Sequence, residues 1–207
     1  SYDLAFSLDG SGQGLRQETF VTGEAGGAWV AGRFRLDATV YFSAVDAFIY
    51  QRNISDPVAG PFYNPDRRGF QGRCTTGDNC YSIYQFTQQD AQLFGGEGKA
   101  SLVLLDGVRR ITAFAFADVV RARLADGTDV PRMPPLRAGS GFTVEQGSWL
   151  LETVYTRFAR QSRSGVNEPP TAGYDVLDVS LSWRPGWAFG RSLLFLRGRN
   201  LTDAETH

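Results

Sequence analysis

Arg33-Phe-Arg-Leu-Asp-Ala-Thr-Val-Tyr-Phe-Ser-Ala-Val-Asp-Ala-Phe-Ile-Tyr50 is the stretch that decides the fold, because apolar and polar residues alternate along most of it. The apolar set comprises Phe34, Leu36, Ala38, Val40, Phe42 and Ala44 and is continued by Asp46, Phe48 and Tyr50. Successive side chains of a β-strand point to opposite faces, so the stretch predicts one long strand with an apolar and a polar face. A strand of about 9–11 residues tilted near 45° crosses a bilayer, and a longer one continues as a wall above the membrane.

Similar alternation predicts about nine strands in the whole chain. They lie near 2–9, 17–30, 33–52, 83–105, 110–124, 135–146, 148–161, 173–185 and 192–200. In the eighth, Trp183 stands at the strand end, where an aromatic girdle at a membrane interface needs it. The 24 glycines, the 9 prolines and the lack of a sustained 3.6-residue stripe argue against helices. The predicted fold class is therefore all-β.

The connections between these strands alternate in length. Short ones fall near 30–32, 106–107 and 146–148, and long polar ones near 53–82, 125–134 and 162–172. An antiparallel up-and-down barrel of the outer membrane has short periplasmic turns and long extracellular loops, whereas a Greek-key sandwich does not alternate in this way. Closed bacterial barrels have even strand numbers, so about nine strands indicate either a miscounted strand or part of a larger barrel.

Charge and hydropathy limit the classes of function. Lys and Arg number 21 and Asp and Glu number 22, so the net charge of -1 offers no field for nucleic acid, and no nucleic-acid partner is expected. No apolar run approaches the roughly 20 residues of a spanning helix. A membrane role would therefore be that of a β-barrel, whose alternating strands have unremarkable average hydropathy.

Motifs of catalysis are absent from the sequence. Gly95-Gly-Glu-Gly-Lys-Ala-Ser101 is similar to the end of a phosphate-binding loop, but Ala100 stands where Ser or Thr would reach a magnesium ion. The single histidine is His207, which disfavours a Ser or Cys nucleophile paired with histidine. We expect neither an enzyme nor a cofactor.

Cys74 and Cys80 are the two cysteines, and five residues separate them in the longest loop. Zinc ribbons use closer pairs and further Cys or His ligands, so a disulfide is the more economical interpretation, with two free surface thiols as the alternative. A disulfide here would stabilise the loop by roughly 2 kcal/mol and would indicate an oxidising compartment.

Several stretches together resemble the C-terminal part of the TonB-dependent outer-membrane receptors. Residues 34–49 look like the long strand that rises to a large outer loop, and 84–98 look like the strand that returns. Val130-Pro-Arg-Met-Pro-Pro-Leu-Arg137 is similar to the Pro-rich bend of receptors of the zinc-uptake type. Residues 173–183 and the closing Asn200-Leu-Thr-Asp203 complete a resemblance that covers nearly the whole chain.

The resemblance implies a plugged barrel of about 22 strands, of which residues 1–207 are the C-terminal portion. The plug domain and the final strand would then lie outside this sequence. The implied function is energy-dependent uptake of a metal or metal chelate, of the zinc or siderophore type, across the outer membrane of a Gram-negative bacterium. The implied partners are outer-membrane lipid, the protein's own N-terminal plug, the TonB complex acting through that plug, and the ligand. The absence of histidine from every loop departs from the zinc type.

Contacts with ligand are expected in the long loop, at Tyr63, Asp66, Asp78 and Tyr81, which combine aromatic and anionic groups. The polar residues Arg33, Arg35 and Asp37 would face the lumen and meet the plug. Two other classes remain open: a small self-contained outer-membrane barrel that forms a pore, and a soluble all-β binding module whose apolar faces would need a second sheet.

Overall fold

The computed structural model describes residues 14–54, 62–64, 69–71, 84–165, 168–186 and 192–205. Within these residues ten strands form: β1 (Thr19–Ala31), β2 (Phe34–Asn53), β3 (Phe62–Asn64), β4 (Gly69–Gln71), β5 (Tyr84–Leu105), β6 (Arg109–Leu124), β7 (Arg137–Gln146), β8 (Trp149–Phe158), β9 (Tyr174–Trp183) and β10 (Leu194–Gly198). In these ranges no helix is long and apolar enough to cross a membrane. The predicted strand 2–9 lies outside the described residues.

Eight of the described strands form one antiparallel meander in the order β1-β2-β5-β6-β7-β8-β9-β10. This is the strand order of an up-and-down barrel wall, and it confirms eight of the predicted strands within a few residues. Strands β3 and β4 form a separate two-stranded ribbon in the connection between β2 and β5. The ribbon was not predicted, because three-residue strands are too short to show alternation.

The predicted alternation of short and long connections is confirmed. Turns of two or three residues join β1 to β2, β5 to β6 and β7 to β8, and two of them place Gly32 and Gly147 at φ 58° and 56°. Residues 54–83, 125–136 and 159–173 make the long connections. These connections define a short-turn end and a long-loop end of the sheet. The connection between β9 and β10, residues 184–193, also lies at the short-turn end but is longer than the turns there.

The register separates two faces. Ala31 and Phe34, Trp29 and Leu36, and Ala25 and Val40 pair across β1 and β2 on the face we call outward, whereas Arg35 and Asp37 occupy the opposite, inward face. Large apolar side chains of the outward face are exposed, as the 61% exposure of Val40 illustrates. A sheet that turns such a face to lipid loses no stability by exposing it.

Aromatic pairs mark the short-turn end of the outward face. The rings of Trp149 and Trp183 stack with centroids 5.1 Å apart, and those of Trp29 and Phe34 meet edge to face at 5.7 Å. Trp183 ends β9 as predicted. The pairs correspond to the interfacial girdle of a membrane barrel.

The predicted faces of the first quoted stretch are wrong beyond Val45. A β-bulge interrupts the pairing of β2 with β5 between Val45 and Phe48, with Ala47 at a φ of 56°. The Ala47 N–H donates to Asp90 Oδ1 at 3.0 Å, and Gln88 Nε2 donates to the Ala47 carbonyl oxygen at 2.9 Å. An extra residue reverses the alternation, so Phe48 and Tyr50 lie on the inward face with Val45 and not on the apolar outward face.

Candidate ligand site at the long-loop end

The buried apolar cluster of the described residues lies on the inward face, near the long-loop end. Its members come from β2, β5, β6 and the connection after β6: Val45, Ala91, Ala122, Leu124 and Val130, with Phe48, Tyr50, Leu93 and Met133 packed against them. The Val130 N–H donates to the Ala122 carbonyl oxygen at 3.1 Å. The connection between β6 and β7 therefore doubles back beside the end of β6, and Val130 adds its side chain to the apolar cluster on the inward face.

A tight turn directs this fold-back. The Leu124 N–H donates to the Thr128 carbonyl oxygen at 2.9 Å, and Gly127 adopts a φ of 83°. Asp126 Oδ1 accepts hydrogen bonds from the Thr128 hydroxyl at 2.6 Å and the Thr128 N–H at 2.9 Å. These two bonds, led by that of the hydroxyl, lower the pKa of Asp126 from its ordinary value.

Hydrogen bonds join two of the long connections to each other at the long-loop end of the sheet. Glu168 Oε2 accepts from the N–H groups of Arg132, at 3.2 Å, and Gly165, at 3.1 Å. Gln161 Nε2 donates to the carbonyl oxygens of Met133, at 3.0 Å, and Pro134, at 3.3 Å. We call the described residues of 125–136 and 159–173 together the loop cap.

Gly165 is required where the two halves of the loop cap touch. A Cβ at this position would lie 2.7 Å from the Pro131 Cβ, closer than real Cβ contacts. Gly165 is itself buried, so the neighbouring backbone has little room to yield.

A cavity of about 770 Å³ lies between the loop cap and the inward face. Its wall contains one row of successive cross-strand partners, Asp118, Arg137, Phe158 and Tyr174. Its other lining residues are Tyr84 at the start of β5 and, from the loop cap, Arg132, Met133, Pro134, Pro135, Gln161, Arg163, Ser164, Glu168, Pro169 and Thr171. The cavity therefore combines a rigid strand wall with a loop ceiling.

Charge in the cavity is slightly positive. Among the described residues its lining has three arginines, Arg132, Arg137 and Arg163, and two carboxylates, Asp118 and Glu168. Arg137 Nε donates to Asp118 Oδ2 at 2.7 Å, while Glu168 Oε2 accepts from the two loop N–H groups. These contacts occupy both carboxylates, so the balance of charge left to a ligand is positive.

Aromatic rings supply the apolar surface of the cavity. Phe158 and Tyr174 stack with centroids 4.5 Å apart, and the Arg132 guanidinium lies 5.5 Å from the centre of the Tyr84 ring. Rings and arginines that converge on one cavity can hold a flat, anionic molecule by stacking and by charge-assisted hydrogen bonds. Within the described part of the chain, no group of three or more His, Cys, Asp or Glu could hold a metal ion.

The structure places only some of the predicted site residues. Tyr63 belongs to β3, opposite Phe70 of β4, but its side chain is outside the described residues, as are Asp66, Asp78 and Tyr81. Cys74 and Cys80 also lie outside the described residues, so the disulfide remains a prediction. Arg35 and Asp37 form an ion pair on the inward face, as their expected lumen position requires.

The cavity residues were missed as a set. Arg137, Phe158 and Tyr174 are far apart in sequence and meet only through the register of β7, β8 and β9. The Pro-rich bend was noticed, yet its sequence does not reveal that it folds back over the sheet. Position at the loop end of a strand was the one signal that could have selected Phe158 and Tyr174.

The meander, the lipid-type outward face and the aromatic girdle define a β-barrel of the outer membrane. A family model described as "TonB dependent receptor-like, beta-barrel" matches residues 1–201. The chain belongs to the TonB-dependent receptor family, as part of its β-barrel. The predicted fold class is thus confirmed, and the family is one of transporters, not of enzymes.

A solved structure supports the same fold. The structure of "Copper transporter OprC" superposes with a TM-score of 0.67 at 22% sequence identity, over 92% of this chain and 26% of that chain. The chain therefore spans about a quarter of the length of that transporter. No curated protein matches the sequence significantly.

Proposed function

We propose that this chain is the C-terminal portion of the barrel of a TonB-dependent receptor that imports an anionic metal chelate into a Gram-negative bacterium. Residues 1–207 would belong to the barrel domain, with the plug domain and the final strand outside this sequence. Import would depend on the TonB complex, which acts through the plug. The family membership supports this assignment, and the match to about a quarter of a solved transporter is consistent with it.

The observation that carries the proposal is the cavity beside the loop cap, with its balance of positive charge. Its volume of about 770 Å³ suits a small molecule, since ligand pockets generally measure about 300–1,000 Å³. Ferric chelates formed through carboxylate or catecholate oxygens are anionic, and catecholate groups add flat rings. Arg132 and Arg163 would pair with those oxygens, and Tyr84, Phe158 and Tyr174 would stack on their apolar parts.

A bare metal ion is the second candidate. The solved relative is named as a copper transporter, and the Pro-rich bend 130–137 is similar to that of zinc-uptake receptors. Met133, the single methionine of the chain, lines the cavity, and its thioether is a ligand that suits Cu(I).

The two candidates separate in a binding experiment on the full-length receptor. Calorimetric titration would compare an anionic ferric carboxylate chelate, an uncharged ferric hydroxamate chelate, Zn²⁺ and Cu⁺. We expect the anionic chelate to bind most tightly and Arg163→Gln to weaken it about tenfold, since a charge-assisted hydrogen bond contributes about 1.5–3 kcal/mol.

Arg109→Gln, at the short-turn end of β6, is the matched control and should leave the affinity unchanged. If a free ion binds tightly and Arg163→Gln has no effect on its affinity, the proposed substrate is the metal ion and not the chelate. Uptake of the bound chelate should stop in cells that lack TonB.

The long connection between β2 and β5 is a second proposed contact surface. Tyr63, Asp66, Asp78 and Tyr81 would meet the ligand there, and a Cys74–Cys80 disulfide would restrict the shape of this loop. Alkylation of the unreduced protein tests the disulfide: no modification of either cysteine is expected before reduction, and modification of both would refute it.

A further inference from the structure

The outward face changes its chemistry abruptly along β6. Ala113, Ala115, Ala117 and Val119 occupy successive outward positions, and the next two are Arg121 and Arg123. Both arginines are exposed, whereas Ala122 and Leu124 between and beyond them are buried on the inward face, at 3% and 6%. The apolar band therefore ends at Arg121, on the side of the sheet that faces away from the ligand cavity.

Arg121 stands at the level of an aromatic row. Its cross-strand partner is Phe94, whose own partner is Phe42, and these rings are 43% and 48% exposed on the outward face. Aromatic side chains followed by arginines are typical of the boundary between hydrocarbon and lipid head groups. The position is at the long-loop end, so this boundary belongs to the outer leaflet.

A crevice of about 120 Å³ opens beside Arg121. Its lining in the described part of the chain includes Arg121, Arg160 and Arg163 with one carboxylate, Asp129, and its apolar lining includes Val119 and Leu136. The neighbouring outward Arg157 differs, because its Nη1 donates to Asp175 Oδ2 at 2.6 Å, which neutralises its charge. The crevice thus combines a surplus of guanidinium groups with an apolar edge.

We propose that this crevice binds the phosphorylated head group of an outer-leaflet glycolipid. Phosphate matches the fork of donors that each guanidinium presents, and the pairing is charge-assisted. Val119 occupies an outward position of β6, and the exposed Leu136 directly precedes β7, so both would contact the first part of an acyl chain. A soluble anion would use the arginines alone and gain nothing from this apolar edge.

The site has a consequence for the loop cap. Arg163, Gln161, Met133 and Pro134 line both the crevice and the ligand cavity. The same loop segment would therefore contact lipid on one side and ligand on the other.

Native mass spectrometry of the full-length receptor in a nonionic detergent tests the proposal. The probes are bisphosphorylated lipid A, the same lipid without phosphates, and inorganic phosphate. The test variant is Arg121→Gln with Arg160→Gln, and neither residue lines the ligand cavity. The control is Arg109→Gln, which removes an arginine from the same strand and the same outward face at the short-turn end.

We expect bisphosphorylated lipid A to bind the wild-type receptor, and the double variant to bind it at least about tenfold more weakly. The control variant should bind as the wild type does, and removal of the lipid phosphates should weaken binding to the level of the double variant. Equal binding by wild type and double variant would overturn the proposal. Inorganic phosphate that binds as tightly as lipid A would replace it with a soluble-anion site.

Loss of folding is checked by the heat-induced mobility shift of the barrel in gel electrophoresis. If the double variant does not fold, Arg160→Gln alone carries the test, because Arg160 follows the end of β8 and is exposed. An unchanged lipid affinity in that folded variant would also overturn the proposal. Chelate binding, measured in parallel, should persist in these variants, so failure of one site is distinguishable from failure of the other.

Discussion

The two ends of the sheet are built by different rules. At the short-turn end outward residues such as Trp149 and Trp183 repeat in register from strand to strand, and the alternation is regular apart from a shift between Val103 and Leu105 of β5. At the long-loop end a bulge in β2 reverses the alternation of its faces, and the connection after β6 doubles back so that Val130 packs with Val45 and Leu124. Lipid imposes a regular pattern on what it touches, whereas the long-loop end owes its shape to specific contacts within the protein.

The largest expected effect on stability comes from placing a charge within the apolar pattern of the outward face. Ala115→Arg places a charge on the outward face, near the middle of the apolar part of β6. It should destabilise the folded receptor by about 2–4 kcal/mol, the usual effect of a lipid-facing cation at the midplane. Urea unfolding from lipid vesicles measures it.

Thr112→Arg is the matched control, because Thr112 lies on the inward face of the same strand. It should change stability much less than Ala115→Arg. Equal losses in both variants would contradict the assignment of the two faces.

A smaller effect is expected at the bulge. Asp90→Ala removes the acceptor of the buried Ala47 N–H, and an unsatisfied buried N–H costs about 1–3 kcal/mol. The same unfolding experiment should show a lower midpoint, and hydrogen exchange should accelerate at Ala47. The control Asp106→Ala, in the turn between β5 and β6, should leave the unfolding midpoint and the exchange rate at Ala47 unchanged. If exchange at Ala47 stays slow in Asp90→Ala, the carboxylate does not hold the bulge.

Glu168→Ala should separate the two halves of the loop cap. The N–H groups of Arg132 and Gly165 lose their common acceptor, so the ceiling of the cavity becomes less ordered. We expect chelate affinity to fall about fivefold, which corresponds to about 1 kcal/mol, with little change in the unfolding midpoint. Glu145→Ala near the short-turn end should change neither quantity, and a large drop in the midpoint of Glu168→Ala would indicate a general structural role.

The smallest effect is that of pH on the turn of the loop cap. The pKa of Asp126 is lowered in the folded state, so its contribution to stability is fully present above the ordinary carboxyl pKa and is lost as pH falls through the lowered value. Hydrogen exchange at Thr128, corrected for its intrinsic pH dependence, should therefore stay constant from neutral to mildly acidic pH. After the same correction, exchange at Thr128 should be faster in Asp126→Ala than in the wild type at neutral pH. Equal exchange rates would mean that the carboxylate does not hold the turn.

Sequence predicted the short-turn half of the molecule well and the candidate site poorly. Alternation is a local property, so strands, their connections and Trp183 could be read from the residues themselves. The faces of Phe48 and Tyr50 could not be predicted from the sequence, because the bulge is held by Gln88 and Asp90, about forty residues away. The cavity depends on register across three strands and on loop contacts such as that of Gln161 with Met133, neither of which leaves a periodic signal.

The bulge at Ala47 also decides which residues of β2 meet lipid. Below it, residues of one parity do so, and above it, residues of the opposite parity do so while Phe48 and Tyr50 pack inside. Deletion of the single codon for Ala47 would leave Val45 opposite Ala91 and Phe48 opposite Gln89, so the pairing would become continuous and both flanks would keep their faces. Related chains can therefore lack one residue at this place without exchanging the two sides of β2, whereas the loss of a residue elsewhere in the strand would exchange the sides of the positions between that residue and the bulge.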